Sequence, residues 1–246
     1  MRREPPFLSD LAKFALFLDI DGTISDIAPA PELALVSQQT RDVLVRLHRN
    51  ALGALAVISG RQLADIDRLI GIPRLPAAGI HGAELRRSDG VIERSGGDAI
   101  DIGAIDSSLR IRFAKHAGIV IERKPLAVAI HYRADPGCGP LVIDAARDIV
   151  NANPALKSLA GKMIVEILPA TIDKGSAVAR LMALAPFSGR IPVFAGDDTT
   201  DEDAFRVVNA ADGISVKIGD GTSDANYGFQ GAEDFRCWLA AVAAAS

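Results

Sequence analysis

The sequence predicts an α/β protein with a doubly wound parallel sheet and a smaller α+β insertion in its middle. Two observations indicate the sheet. Short apolar runs, each suited to a strand buried on both faces, occur at Phe14–Leu18, Leu55–Ile58 and 191–195. Stretches with apolar residues at helical spacing lie between and after these runs. This alternation is typical of a parallel sheet with helices on both faces.

Four stretches with helical spacing accompany the apolar runs. The first surrounds Val43, and the second follows Ser59 and reaches a stop signal at Gly71. Two more span residues 174–185 and 202–211. Each helix therefore connects or follows a predicted strand, as a doubly wound core requires.

The middle of the chain has a different pattern, which favours strands and hairpins from about residue 102 to 169. Strands are predicted at 119–122, 127–133 and 163–168, and a helix at 140–151. We therefore expect a catalytic core formed by residues 1–101 and 171–246, interrupted by an inserted domain at 102–170.

The composition indicates which classes of protein the chain can belong to. The chain has 246 residues, of which 49% are apolar, and a net charge of −4, values typical of a globular protein without a nucleic-acid-binding surface. Cys138 and Cys237 lack the spacing of a zinc site and indicate thiols in a reducing compartment. Asp10 and Lys13 interrupt the apolar N-terminal stretch, so neither a signal peptide nor a membrane span is predicted. We expect a cytoplasmic monomer.

Polar clusters follow all three apolar runs. Asp19 and Asp21 come after the first, Ser59 after the second, and Asp197 after the third. Because the carboxyl ends of parallel strands meet at one edge of a sheet, where ligands bind, these side chains are expected to converge. Convergence of Asp21 with Asp19 requires a turn, which Gly22 permits.

The chemistry of the clusters predicts phosphoryl transfer. A carboxylate such as Asp19 can act as a covalent nucleophile, and Asp21 can move a proton to the leaving group and from water. Ser59 can offer its hydroxyl to a phosphoryl oxygen, and Lys174 can supply positive charge beside the phosphoryl group. Magnesium prefers oxygen ligands, which Asp19, Asp21 and Asp197 offer, with Asp198 and Asp201 as further candidates.

Each feature alone has a structural explanation. Asp19–Gly22 could form an Asx-type turn, Ser59 could cap a helix, and Lys174 could be a solvated surface residue. Asp197 and the acids after it could begin a helix, where negative charge is favourable. Because polar clusters follow all three predicted strands, a shared active site is favoured over three separate structural roles.

These motifs resemble the haloacid-dehalogenase (HAD) superfamily of phosphatases. Within it, the chain is similar to the trehalose-6-phosphate phosphatase family through the phrases His-Gly-Ala-Glu at 81–84, His-Tyr-Arg at 131–133 and Gly-Asp-Asp-Thr-Thr-Asp-Glu at 196–202. The resemblance runs from about residue 14 to 240. It implies a Rossmann-like core, a magnesium cofactor and an inserted cap domain that confers specificity.

The resemblance also implies residues that bind the substrate. They lie on the loop after the second strand and in the inserted domain: Gly60, Glu122, Lys124, Arg133 and Glu166. Charged residues alternating along a strand are more often its solvated face, but a sugar phosphate needs charged hydrogen-bond partners. The roles of Arg61 and His81 stay open.

The predicted function is hydrolysis of trehalose 6-phosphate to trehalose and phosphate, in trehalose biosynthesis, through a phospho-aspartate. Related sugar phosphatases that act on sucrose 6-phosphate or mannosyl-3-phosphoglycerate are the nearest alternative, and a phosphomutase is more distant. A non-catalytic sugar-phosphate sensor is the alternative from another class. Such a domain is expected to lose one of Asp19, Asp21, Lys174 or Asp197, and all four are present.

Overall fold

The computed structural model describes residues 2–28, 31–96 and 100–245. The predicted core range is therefore described except at residues 1, 29–30, 97–99 and 246. The chain divides into two compact units, one formed by Met1–Glu93 with Asp173–Ser246 and the other by Arg94–Ile172. Among the described residues, no helix combines the length and the apolar character that crossing a membrane requires.

The elements alternate along the chain much as the sequence pattern predicts. The strands are β1 (Phe14–Leu18), β2 (Leu55–Ile58), β3 (Ala77–Gly79), β4 (Glu84–Arg86), β5 (Ile92–Arg94), β6 (Val120–Arg123), β7 (Val128–His131), β8 (Leu156–Gly161), β9 (Ile164–Pro169), β10 (Ile191–Gly196), β11 (Ile214–Ile218) and β12 (Tyr227–Phe229). The α-helices are α1 (Gln38–Asn50), α2 (Leu63–Ile70), α3 (Ile102–Arg112), α4 (Gly139–Ala152), α5 (Lys174–Met182), α6 (Glu202–Ala210) and α7 (Ala232–Ala245).

The larger sheet has the strand order β12-β11-β10-β1-β2-β3-β4-β5 among the described residues. Pairing is parallel from β12 through to β3, and β4 runs antiparallel to β3. The prediction of a doubly wound, mainly parallel sheet is confirmed. After β1 the chain builds β2 and β3 on one side and later returns to place β10 on the other. The strand order therefore reverses at β1, the kind of position where α/β proteins bind ligands.

The core of the first unit explains why these segments form strands. Phe17 and Phe194 are completely buried, and the ring of Phe17 stacks on Phe187 with centroids 5.4 Å apart. α1 packs against α7, and α5 packs against α6. These two helix pairs cover the sheet, so the central strands are apolar throughout instead of alternating.

The second unit contains an antiparallel sheet with the order β6-β7-β9-β8. Its buried core includes Val128, Ile130 and Ile167, which lie on one face of the sheet and pack with residues of α3 and α4. This agrees with the α+β pattern expected for the middle of the chain.

The prediction of strands and hairpins from about residue 102 onward was wrong at its start. Residues 102–112 form α3, because the Asp101 side chain accepts a hydrogen bond from the Ala104 amide at 2.9 Å and caps the helix. Ile102 and Leu109, seven residues apart on one helix face, then pack into the core. β8 was not predicted, and it completes a hairpin with β9.

Candidate active site

Asp19 lies directly beyond the carboxyl end of β1. Its amide donates to the Ala195 carbonyl at 3.0 Å, which extends the β1–β10 pairing by one residue, and the residue is only 4% exposed. Burial raises the pKa of Asp19 well above its ordinary value, against the lowering effect of Lys174. Asp201 and Asp197 raise the pKa of Asp19 further. A bound cation would offset this concentration of negative charge.

Lys174 is the buried cation of the site. Its Nζ donates to Asp19 Oδ1 at 2.7 Å and to Asp201 Oδ1 at 2.6 Å. Burial alone lowers the pKa of Lys174, but the two carboxylates outweigh burial and raise it above its ordinary value. Asp173 caps α5 through the Ser176 amide, so the capping box at this helix start sets the position of Lys174.

Three carboxylates can share a metal ion. Asp19, Asp197 and Asp201 each offer an oxygen, and these oxygens lie within 4.8 Å of one another. A hard divalent cation fits this donor set, since all the ligand atoms are carboxylate oxygens. Gly22 makes room for Asp197, because a Cβ on Gly22 would lie 2.2 Å from Asp197 Oδ2.

Asp201 has a structural role besides its place among these carboxylates. It is completely buried, and its Oδ2 accepts a hydrogen bond from the Asp198 amide at 2.9 Å. Since its Oδ1 accepts from Lys174, both oxygens are engaged. Asp198 itself is the N-cap of a short 3-10 helix, which places its side chain in a capping box with Asp201. This geometry favours Asp19 and Asp197 as the metal-facing pair.

The turn that was expected after Asp19 is present. The amides of Thr23, Ile24 and Ser25 all donate to the Ile20 carbonyl, at 2.9–3.2 Å. Gly22 adopts a φ of +77° within this turn, a conformation that glycine tolerates best. Asp21 lies inside this turn, where its backbone forms an isolated bridge with Ser25.

Arg61 holds Asp21 in a two-point ion pair. Its Nε lies 2.7 Å from Asp21 Oδ2, and its second terminal nitrogen lies 2.8 Å from Asp21 Oδ1. The Asp21 side chain is 38% exposed, so solvent reaches this pair. Sequence reasoning left Arg61 undecided, and the structure places it against the predicted proton shuttle.

Ser59 and Gly60 form the loop between β2 and α2. The Ser59 hydroxyl accepts a hydrogen bond from the Arg61 amide at 3.2 Å, and its carbonyl accepts from the His81 amide at 3.0 Å. A Cβ on Gly60 would lie 2.7 Å from His81 Nε2, so the buried imidazole requires glycine here. Glu84 accepts from the Leu63 amide at 3.0 Å and thereby caps α2.

Lys217 is a residue near the site that sequence reasoning missed. It lies on β11 opposite Gly196, is buried, and its Nζ donates to the main-chain carbonyl of Asp197. A lysine inside a buried strand is unusual, because burial of an ammonium is costly without a partner. A lysine in an apolar strand was therefore the signal in the sequence that could have identified this residue. The Lys217 side chain fixes the backbone of Asp197, a candidate metal ligand.

The second unit has a polar sheet face opposite its apolar core. Glu122 lies across from Ala129, and Ala129 lies across from Glu166, so the two glutamates share one face with Lys124. Lys124 forms an ion pair with Glu166. Arg133, two residues beyond the end of β7, donates to the Lys162 carbonyl at 3.3 Å.

His131 belongs to the same polar face, although sequence reasoning did not select it as a site residue. Its Nε2 lies 2.8 Å from Glu122 Oε2. This hydrogen bond lowers the pKa of Glu122 below its ordinary value, burial opposes the effect, and the charge of Lys124 supports it. Alternation along β7 places His131 on this face, two residues beyond Ala129.

Comparisons with known proteins agree with this geometry. A profile of the trehalose-phosphatase family matches residues 17–230. The chain is 40% identical over 245 residues to the trehalose-6-phosphate phosphatase of Escherichia coli K12, covering 98% of this chain and 90% of that protein. A crystal structure of a trehalose-6-phosphate phosphatase related protein matches with a TM-score of 0.79 and 25% identity, covering 93% of this chain and 96% of the other.

The same fold occurs in a haloacid dehalogenase-like hydrolase from Bacteroides thetaiotaomicron. That structure matches with a TM-score of 0.69 at 13% identity, covering 94% of this chain and 98% of the other. The resemblance found in the sequence motifs is thus confirmed over nearly the whole chain. With its HAD fold and its match to the family profile, the chain belongs to the trehalose-phosphatase family.

Proposed function

We propose that this protein is a magnesium-dependent phosphatase that hydrolyses trehalose 6-phosphate to trehalose and phosphate. The observation that carries the proposal is the buried Asp19–Lys174–Asp201 cluster at the carboxyl end of β1. It combines a carboxylate nucleophile with a fixed cation beside it. The choice of substrate is supported by the E. coli relative, whose name specifies trehalose 6-phosphate.

The proposed reaction has two steps. A carboxylate oxygen of Asp19 attacks phosphorus, the bond from phosphorus to the sugar oxygen breaks, and Asp21 gives a proton to that oxygen. Water then attacks the phosphorus of phospho-Asp19 and gives a proton to Asp21, the bond from phosphorus to the Asp19 oxygen breaks, and phosphate leaves with the Asp19 carboxylate restored. Lys174 and the Ser59 hydroxyl stabilise charge on the phosphoryl oxygens.

Magnesium is the metal that we propose for the carboxylate cluster. Asp19 and Asp197 would hold it, and it would supply positive charge next to the phosphoryl group. Asp21 is a further candidate ligand from the sequence. The excess of carboxylates over ammonium groups in the cluster supports a divalent cation there.

The second unit, Arg94–Ile172, contains the range of residues 102–170 that was predicted as the cap domain, and we propose that role for it. Its polar face supplies the hydrogen-bonding groups that a disaccharide needs, through Glu122, Lys124 and Glu166. Arg133 and Gly60 remain proposed substrate contacts. We also propose a cytoplasmic location, which the free thiols of Cys138 and Cys237 support.

A phosphate-release assay tests the substrate. The panel contains trehalose 6-phosphate, sucrose 6-phosphate, mannosyl-3-phosphoglycerate and glucose 6-phosphate, each with and without magnesium. We expect the highest kcat/KM with trehalose 6-phosphate and no turnover after removal of the metal. Faster hydrolysis of another sugar phosphate would refute the substrate and leave the chemistry standing. Binding of the sugar phosphate without any turnover would instead indicate a sensor.

A further inference from the structure

We propose that Arg61 acts as a latch on Asp21, by which we mean a side chain that changes its hydrogen-bond partner when substrate binds. Its guanidinium binds the Asp21 carboxylate in the free protein and binds the phosphoryl group in the complex with substrate. This inference rests on the proposed function, in which Asp21 moves the proton. It adds a residue that contacts the phosphoryl group to that reaction. The exchange breaks two N–H···O hydrogen bonds to Asp21 and makes equivalent ones to phosphoryl oxygens, without any covalent change.

The first argument is the geometry of the resting pair. Both oxygens of Asp21 accept from the fork of Arg61, at 2.7 and 2.8 Å. A carboxylate held in this way has both of its oxygens turned to the guanidinium, so neither faces a leaving oxygen of the substrate. The pair must therefore open before Asp21 can serve as the acid of the first step.

The second argument is the position of Arg61 beside the phosphoryl site. Its amide donates to the Ser59 hydroxyl, the group proposed to contact a phosphoryl oxygen. Burial lowers the pKa of Arg61, but its hydrogen bond to Asp21 and the charges of Asp21, Asp65 and Asp19 outweigh burial and raise that pKa above its ordinary value. The guanidinium is thus within electrostatic reach of the nucleophile at which phosphorus would arrive.

The third argument is chemical competition. Guanidinium binds phosphate and carboxylate with the same planar fork, so a phosphate dianion near Asp19 and Ser59 competes directly with Asp21. The Arg61 side chain is 12% exposed and the Asp21 side chain is 38% exposed, so solvent reaches the pair mainly from the Asp21 side. Exchange can therefore occur by rotation of the Arg61 side chain while its backbone stays anchored to Ser59.

The test is a double-mutant cycle on the binding of inorganic phosphate in the presence of magnesium, measured by titration calorimetry. The proteins are the wild type, Asp21→Asn, Arg61→Met and the double variant. We expect Asp21→Asn to tighten phosphate binding roughly tenfold, because Arg61 is released from its partner. In the Arg61→Met background, the same change should alter affinity by less than about twofold.

A matched control separates exchange from a general loss of negative charge. Asp67 forms the same two-point pair with Arg86, at 2.8 and 2.6 Å, within the same unit. Asp67→Asn should leave phosphate affinity unchanged within about twofold. Equal tightening by Asp67→Asn, or equal tightening by Asp21→Asn with and without Arg61, would overturn the proposal. Failure of phosphate to bind either the wild type or Asp21→Asn would overturn it as well.

Circular dichroism and thermal unfolding establish that each variant is folded. If Arg61→Met does not fold, Arg61→Lys replaces it, since lysine keeps the charge and loses the planar fork. The gain from Asp21→Asn should then shrink to a few-fold, and an undiminished gain would contradict the latch. None of these measurements requires turnover, so the result is independent of the sugar-phosphate panel that tests the proposed function.

Discussion

At the scale of single residues, the site depends on two buried lysines that have different partners. Lys174 binds the side chains of Asp19 and Asp201, whereas Lys217 binds the main-chain carbonyl of Asp197. Burial of an ammonium is costly, and these contacts offset that cost for each lysine. The two lysines therefore fix the acidic groups on which phosphoryl transfer would depend.

Replacement of Lys174 tests the first of these contacts. Lys174→Met should lower kcat at least about 10²-fold, since it removes a fixed cation from the phosphoryl site. It should also lower the free energy of unfolding by about 3 kcal/mol, because buried carboxylates lose their partner. Phosphate release and urea unfolding measure the two effects. Lys13→Met, which removes an exposed pair with Asp10, is the control and should change neither.

Replacement of Lys217 tests the second contact. Lys217→Met should raise the magnesium concentration needed for half-maximal activity by roughly 10-fold to 100-fold, as changes behind a metal ligand typically do. A magnesium titration of phosphate release gives this number directly. An unchanged magnesium requirement, with folding intact, would show that Lys217 does not position Asp197.

At the scale of elements, the site lies where short turns end the parallel strands. The turn after β1 is built around the Ile20 carbonyl and places Gly22 against Asp197. The β2–α2 loop is held by Glu84, which caps α2, and by the buried His81 beneath Gly60. These backbone contacts, rather than the active-site side chains alone, determine where the catalytic groups lie.

Gly22→Ala tests the turn against a matched glycine. Both Gly22 and Gly90 have positive φ, +77° and +85°, so alanine at either position costs about 1–2 kcal/mol. Of the two positions, only Gly22 would bring its new Cβ against another group, since none of the described residues lies within 4 Å of a Cβ at Gly90. Gly22→Ala should therefore lose more stability than Gly90→Ala and should also lose activity. Equal losses of stability, with activity kept in both, would contradict the close approach of Asp197.

The cross-strand pair between β6 and β7 predicts a pH dependence of stability. Because the hydrogen bond from His131 lowers the folded-state pKa of Glu122, the pair stabilises the protein fully above the unfolded-state pKa, about 4.3 for glutamate. Its contribution is lost as the pH falls through the lower, folded-state pKa.

Urea unfolding between pH 6 and pH 3 measures this contribution. The stability difference between the wild type and Glu122→Gln should be largest near pH 6 and should decrease on acidification. In a His131→Gln background the same substitution should show a much smaller change with pH. A stability difference that grows as the pH falls would have the wrong sign for a lowered pKa.

At the scale of the whole molecule, the sequence best predicted the segments whose residues form an uninterrupted apolar run and the motifs that follow those runs. β1 and β2 have the predicted bounds, because a fully apolar run of four or five residues is the length of a strand and too short for a typical helix. The gathering of polar residues at the strand ends followed from parallel topology alone. The family followed from motifs spread over most of the chain.

The parts that sequence did not predict depend on contacts between distant segments. Arg61 and Asp21 are 40 residues apart, and no local pattern pairs them. Lys217 in an otherwise apolar strand becomes meaningful only when β11 lies beside β10. The helix at residues 102–112 was missed because its capping residue, Asp101, was not recognised as a start signal.

The central claim is that Asp19 forms a covalent phospho-aspartate, and acid-quench mass spectrometry tests it most directly. The protein is mixed with trehalose 6-phosphate and magnesium, quenched within the first turnover, digested and searched for the peptide that contains Asp19. We predict phosphate on Asp19 in the wild type, and neither phosphopeptide nor turnover in a folded Asp19→Asn variant. Turnover retained in Asp19→Asn, or phosphate found on another residue instead, would contradict the account.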